Sequence, residues 1–494
     1  MTSEAELKPL QSKAICYVCV GEDYLQDEIR RGGRRRLCAY CGNRRRSYLI
    51  SEMSERIEEV FRAHFQRTSD QPEPEQRMAM SDPESGYEWE REGEPVVWAI
   101  ASAADIPEAA ATDIQLILAN RHWDLELAKM GEESEFADTT YYEQCGTDDR
   151  HWQDEWDGFE HSLRSEVRFF SPNLAEHLRA VFRDLDKLST PGGRPLLVDV
   201  GPGTGMRAVY RARAFQSEPL LLEALSRPDL HLGPPPAKHA GAGRMNARGI
   251  SVFYGANSAA VAIAEVRPPV GSQVAVARFA FTGRLRLLDL TALGKVAETG
   301  SLFDVSLSER QERAMFLRSL SARMTRPVMP DDEALDYLPT QAIADFLAWE
   351  NDPQLDGILF PSVQAATGAV NVALFHKAAR VGDLEFPPNT EISSRVAESW
   401  EEEWGHAFTV IEKVPPSETS QKLKSPIDWA EIPEMLGGGK RWDSREVSLR
   451  VDPKSVGVHQ IEAVKVRTKV RRVHRWRWKL TTEQVAMLSG EGDF

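Results

Sequence analysis

Four of the five cysteines fall into two equal pairs, Cys16-Tyr-Val-Cys19 and Cys38-Ala-Tyr-Cys41, with 18 residues between the pairs. A C-x2-C turn sets two thiolates on one knuckle, and two such knuckles close a tetrahedral shell around a zinc ion. Gly42 directly after the second pair suits the tight turn of a knuckle. Four cysteines leave no ligand position open, so the expected ion is structural Zn2+ in a zinc ribbon and not a catalytic centre. A second chemical signal is Glu265 in Ala-Ile-Ala-Glu-Val. A carboxylate in such an apolar stretch costs free energy unless it has a partner or a task. Two basic segments also stand out, Arg30–Arg46 and Lys465–Lys479. Arg34, Arg35, Arg36, Arg44, Arg45 and Arg46 bracket the second knuckle and could meet a nucleic acid, an acidic partner, or the acidic segment downstream. Trp476 and Trp478 among arginines raise nucleic-acid stacking, with an edge strand of alternating Trp and Arg as the preferred reading. Gly201-Pro-Gly-Thr-Gly lacks both the G-x-G-x-x-G spacing and a G-K-[ST] ending, which removes it as a phosphate loop.

These groups must be positioned by a chain of 494 residues with a net charge of −16, of which 41% are hydrophobic and 28% charged. That length implies two to four domains. The composition is that of a globular protein, and the cysteine count excludes a disulfide scaffold. No window approaches a membrane span, and the N-terminus lacks a secretion signal, so a cytoplasmic location without membrane contact is expected. An overall acidic chain is not built for non-specific nucleic-acid binding, although the two basic segments could still touch a phosphate backbone locally. The acidic charge is concentrated in residues 68–166, which hold 26 Asp and Glu against 6 Lys and Arg.

The expected fold class is α+β. Residues 1–50 form the zinc ribbon, and residues 51–190 an acidic α-helical domain. A helix with apolar residues at 57, 60, 61 and 65 is capped by Ser54. Residues 68–95 are an exposed linker. Further helices are expected at 106–130 with Pro107 in the first turn, at about 152–170, and at 172–188. The pattern changes at Pro191-Gly-Gly-Arg-Pro. Strand-like runs follow at Ala208–Phe215, Ser251–Tyr254, Val274–Phe281, Arg284 onward and Gly357–Phe360. Helices are expected at Asn257–Val266, with Ser258 near its start, and at Leu335–Trp349. Arg211 and Arg213 are expected to point to opposite faces of their strand, so that at most one of them lines a pocket.

Several blocks in this half resemble the RES-domain family, named for an Arg, a Glu and a Ser. They are Gly243-Arg-Met-Asn-Ala-Arg-Gly-Ile-Ser-Val-Phe-Tyr254, Ala256-Asn-Ser to Glu265-Val, Leu338-Pro-Thr-Gln341 onward, Asp356-Gly-Ile-Leu-Phe-Pro-Ser362, and Asn371-Val-Ala-Leu-Phe375. The resemblance covers about residues 195–385, and residues 386–494 are an extension whose two strands, at 447 and 461 onward, complete its sheet. Met245 departs from the aromatic residue usual after the Arg. The zinc ribbon and helical region ahead of it are similar to the HEPN-associated extension of longer members. An R-x4–6-H pair, which a HEPN ribonuclease would need, does not occur between residues 50 and 190. No ribonuclease activity is therefore expected from that region.

The resemblance implies a fold similar to that of ADP-ribosyltransferase toxins and an NAD-degrading toxin or defence effector of bacterial toxin–antitoxin systems. NAD is then the substrate, cleaved at the nicotinamide–ribose bond, with inorganic phosphate or water as acceptor. ADP-ribosyl transfer to a macromolecule, or an inactive RES-like domain in a zinc-ribbon nucleic-acid binder, are the alternatives. Carried over residue by residue, the pocket is Arg244, Tyr254, Glu265 and Ser362. Glu265 would stabilise the developing oxocarbenium-like sugar. Arg244, with Arg211 as second choice, would hold the pyrophosphate or an attacking phosphate through a guanidinium fork. Tyr254 would stack on nicotinamide and offer its hydroxyl to the ribose, and Ser362 would bond a phosphate or orient Glu265. An antitoxin or other regulatory partner and self-association into a homo-oligomer stay open.

Overall fold

A computed structural model describes residues 4–82, 85–166, 171–329, 331–362, 364, 368–397, 407–416, 443–465 and 468–477. The chain is mixed α+β. At its start, the strands Ala14–Cys16, Arg34–Leu37 and Arg44–Leu49 form a three-stranded antiparallel sheet with Arg44–Leu49 in the centre. The gap between the cysteine pairs holds the helix Asp23–Gly32, whose first turn is closed by the Glu22 carboxylate accepting from the Leu25 N–H at 2.7 Å.

The next helix begins earlier than its apolar spacing suggests, at Ile50, and runs to His64. Ser54 does not cap it. Its hydroxyl is buried in the helix interior and donates back to the Ile50 carbonyl at 2.7 Å, while the Glu52 carboxylate accepts from the Leu49 N–H. A serine four residues into a helix has this alternative available, which is why the residue type alone misplaces the start. The segment 68–95, expected as a linker, includes a helix at Pro74–Ser81. It is flanked by the strands Phe65–Arg67 and Glu94–Pro95, both paired with Tyr141–Gln144. A helix at Val96–Ala104 follows and has no polar face to announce it. The long helix expected at 106–130 is divided into Glu108–Arg121 and Leu125–Met130, with Pro107 just before its first turn.

The helices Arg150–Ser165 and Pro172–Val181 were expected in the N-terminal helical unit. Their apolar stripe, including Trp152, Trp156, Phe159, Leu178 and Val181, packs instead into one core with Phe316, Ile343, Leu347 and Ile358 of the C-terminal half. Conversely, Phe303, 1% exposed, leaves the C-terminal half to sit in the core built by Ile50, Ile57, Ile100 and Ile114. Arg56 fixes that exchange by donating to the Phe303 carbonyl at 3.1 Å.

The C-terminal half is organised on an eight-stranded sheet. Its order is Leu449–Gln460, Gln273–Phe281, Ala208–Phe215, Phe253–Ala256, Val370–Leu374, Gly357–Pro361, Leu285–Asp289 and Leu197–Val200. Neighbours are antiparallel except Leu285–Asp289 beside Gly357–Pro361. The period of two in Gln273–Phe281 sends Val274 and Val276 to one face and Ala275, Ala277 and Phe279 to the other, so the sheet carries apolar layers on both sides. The expected pair of C-terminal strands is one long strand, Leu449–Gln460, which closes the sheet along Gln273–Phe281. The described part of 461–477 is not a strand; Trp476 is 80% exposed there, and Trp478 lies outside the described residues. No helix among the described residues is long and apolar enough to cross a membrane.

Candidate active site

Glu265 is the last residue of the helix Ala259–Glu265, which Ser258 starts by accepting from the Val261 N–H at 3.3 Å. The helix lies on the sheet through Val261 and Ala262, against Ala212, Ala256, Val274 and Val276. Its apolar residues are therefore what carry the carboxylate to the sheet. Ser362 directly follows the strand Gly357–Pro361, and its hydroxyl donates to Glu265 Oε1 at 2.5 Å. Asn371, on the neighbouring strand and opposite Phe360 in register, donates its amide to the same oxygen at 2.8 Å. Oε2 has no protein donor among the described residues. A carboxylate fixed through one oxygen keeps the other for an incoming group.

Glu265 and Asn371, with Arg211, Tyr254 and Phe360 among others, line a cavity of about 280 Å³; Ser362 stands behind Glu265 and is not part of that lining. Asn371 is 4% exposed, and its side-chain oxygen is buried without a hydrogen-bond partner. A buried acceptor left unpaired is costly, so it is a ready contact for a donor on a bound molecule. Nothing in the spacing of the sequence singled out Asn371. The available signal was a lone amide inside the buried run Val370-Asn-Val-Ala-Leu374.

Arg211 comes from the strand Ala208–Phe215, which meets Phe253–Ala256 through the single pair Tyr210↔Ala256. Beyond that pair the strands part. The Arg211 guanidinium fills the split, donating to the Tyr254 carbonyl at 3.0 Å with the Phe253 ring 5.1 Å away. Loss of water around it lowers its pKa to about 10, which leaves it charged at neutral pH. Arg213 does not line the cavity; it is exposed and donates to the His231 carbonyl at 2.8 Å. Strand period places residues two apart on the same face, so the two arginines are separated by their partners and not by alternation.

Tyr254 reaches the cavity, but its hydroxyl is already engaged. It donates to Asn246 Oδ1 at 2.8 Å and accepts from the Met245 N–H at 3.0 Å. Burial pushes its pKa up to about 12. What Tyr254 can offer a ligand is thus its ring and not the free hydroxyl expected of it. The clamp explains Gly243, where a Cβ would lie 2.6 Å from Asn246 Oδ1 and 2.8 Å from the Tyr254 hydroxyl. Met245, the departure from the family pattern, is 2% exposed and packs in the core.

Arg244 is not brought into this cavity. Its guanidinium donates to the carbonyls of Met324 and Arg326 at 2.6 and 2.7 Å, 5.3 Å over the Tyr337 ring. It lines a separate hollow of about 310 Å³ with Arg164, Arg323, Arg326 and Asp336. Thr340 and Gln341, at the start of the helix Leu338–Trp349, hold the Arg244 and Gly243 carbonyls at 2.6 and 2.9 Å. This loop is therefore tied at both ends to helices. Burial lowers the Arg244 pKa.

At the N-terminus, Cys16, Cys19, Cys38 and Cys41 place their sulfurs within 4.8 Å of one another. The neighbouring Sγ–Sγ distances are 3.7 Å for Cys16–Cys19 and Cys16–Cys41 and 3.8 Å for Cys19–Cys38. A tetrahedron with Zn–S bonds of about 2.3 Å has an edge of about 3.8 Å. The four residues thus fit a tetrahedral metal ion. Without an ion the shifts divide: the Asn43 N–H lowers the pKa of exposed Cys41, and burial raises those of Cys16 and Cys19.

Residues 209–395 match the family model described as RES domain. No curated protein and no solved structure matches the chain.

Proposed function

Starting from a chain that carries a RES domain, we propose that its C-terminal half degrades NAD by cleaving the nicotinamide–ribose bond. The observation that carries this reading is a carboxylate held by Ser362 and Asn371 on Oε1, on the wall of a cavity that also presents a half-buried arginine. In the reaction the bond between the ribose anomeric carbon and the nicotinamide nitrogen breaks, and its electron pair leaves on a neutral pyridine. The sugar gains positive charge, which Glu265 stabilises through Oε2. An unprotonated oxygen of inorganic phosphate, or the oxygen of a water, then bonds to the anomeric carbon; an attacking water releases its proton to solvent, and the phosphate oxygen has none to lose. Arg211 supplies the fixed positive charge for the pyrophosphate, Tyr254 the ring for nicotinamide, and Asn371 Oδ1 an acceptor for a ligand hydroxyl or amide. Arg244 shapes the loop that holds Tyr254. Ser362 orients the carboxylate; no His is hydrogen-bonded to it among the described residues, so it is not assigned a nucleophile's role.

In the N-terminal ribbon the four cysteines would hold structural Zn2+, whose bonds would tie the two knuckles together. The enzyme reading is that of a toxin or defence effector. Incubating the pure protein with NAD, with and without phosphate, and identifying the ribose product by mass spectrometry tests it. ADP-ribose 1″-phosphate indicates phosphorolysis, and free ADP-ribose indicates hydrolysis. Unchanged NAD in both arms contradicts the proposal.

A further inference from the structure

We infer that the ribbon carries a second binding site, an arginine face for the phosphate backbone of a nucleic acid, independent of the NAD cavity. Every basic residue from 30 to 46 is an arginine. The strand register sets Arg35 opposite Arg46 and Arg36 opposite Arg45. Like charges directly across a sheet are destabilising, and the surroundings relieve only part of the repulsion. Arg36 has Glu52 at 3.5 Å, and Arg30 and Arg31 share Asp27 at 2.6 and 3.6 Å. Arg34, Arg35, Arg44 and Arg45 have no carboxylate partner among the described residues. The described part of the acidic segment 68–166 does not supply one.

Three of these four, Arg35, Arg44 and Arg45, converge on one place with other arginines. Arg30, Arg31, Arg35, Arg44, Arg45, Arg46 and Tyr17 line a shallow concavity of about 580 Å³. Its positive lining contrasts with a chain whose net charge is −16, so a polyanion is repelled elsewhere and guided to this face. Guanidinium forks match phosphate oxygens bidentately. Alternate residues along one strand are about 6.8 Å apart, a spacing that lets neighbouring arginines take separate phosphates. The Arg30 guanidinium lies 5.0 Å over the Tyr17 ring, which makes a flat pair on which an unpaired base can stack. An acidic peptide could use the charges but has no base for that surface, so the nucleic-acid backbone is the better fit. The strands present no groove-reading element, and binding is expected without sequence preference.

The test measures fluorescence anisotropy of the full chain with a 20-nucleotide RNA, a 20-nucleotide DNA, a 20-base-pair duplex, and poly-glutamate of similar charge. With four phosphates neutralised on a single strand, affinity should fall roughly fiftyfold between 50 and 200 mM salt. Arg35→Gln, Arg44→Gln, Arg45→Gln and Arg46→Gln together should weaken binding at least about tenfold and flatten that salt dependence, with NAD turnover unchanged. Should the fourfold variant fail to fold, Arg44→Glu alone, on an exposed side chain, decides the question by the same loss of affinity. Absence of nucleic-acid binding at 50 mM salt, binding that survives these substitutions, or poly-glutamate binding as tightly as RNA and DNA would each overturn the inference.

Discussion

Asn371→Leu tests whether the amide beside Glu265 positions the carboxylate. The substitution keeps side-chain size and burial in a strand whose neighbours are Val370 and Val372, and it removes one of the two donors to Oε1, the one at 2.8 Å. A hydrogen bond to a charged group is worth about 1.5–3 kcal/mol. If that energy fixes Oε2 toward the sugar, its loss appears in the rate, roughly ten- to 150-fold in kcat. KM should change far less, because the proposed contacts of Arg211 and Tyr254 with the substrate remain. Asn371→Asp is the harsher companion. It sets two carboxylates about 3 Å apart, a repulsion of up to roughly 6 kcal/mol at an effective dielectric of about 20. Its rate should fall further at neutral pH and partly recover in mild acid, when one proton relieves the pair. The assay is NAD turnover across pH for wild type and both variants, alongside thermal melts. Wild-type kcat in Asn371→Leu, or a loss of activity matched by a loss of folded protein, refutes a positioning role.

Three other outcomes are expected. Arg244→Ala removes the bonds to the Met324 and Arg326 carbonyls, and should cost about 2–3 kcal/mol of stability; a melting temperature equal to wild type would show that these ties do not matter. Cys38→Ser with Cys41→Ser should reduce bound zinc from one ion per chain to none, read by metal analysis of the purified protein; retention of the ion would break the four-cysteine assignment. His177 has its pKa lowered by burial. The unfolded chain therefore takes up the proton first, and stability is lost as the pH falls below about 7 toward the depressed folded value. His177→Gln should shrink that loss between pH 7.5 and 5.5, and an identical pH dependence of the melts would rule His177 out.

The sequence disclosed the parts of the site that lie in continuous signals. Two cysteine pairs of equal spacing and a carboxylate at the end of an apolar helix are visible without coordinates. The meeting of Glu265 with Ser362 was legible only through the order of the family blocks. Asn371 was missed because its role comes from register, Phe360↔Asn371, which pairs residues on different strands. Arg244 was misplaced for a related reason. Its partners are two backbone carbonyls at the end of the helix Leu307–Thr325, and backbone acceptors leave no mark in residue types. The helix Val96–Ala104 escaped because its outer face carries apolar residues too, Trp98 among them, so the sequence shows no contrast at the 3.6 period that its buried Val96, Ala99, Ile100 and Ala104 follow. The break at Pro191 was visible in composition, but the core passes across it, because Trp156 and Phe159 find their apolar surface on Phe316 and Ile343.

NAD turnover by purified wild type and Glu265→Gln, in phosphate buffer and in phosphate-free buffer, with melts of both proteins, addresses the central claim most directly. Gln keeps the shape and removes the negative charge, so turnover should fall roughly a hundred- to a thousandfold while the melting temperature stays within experimental scatter. Equal turnover by the two proteins, or no NAD loss with wild type, would contradict the account.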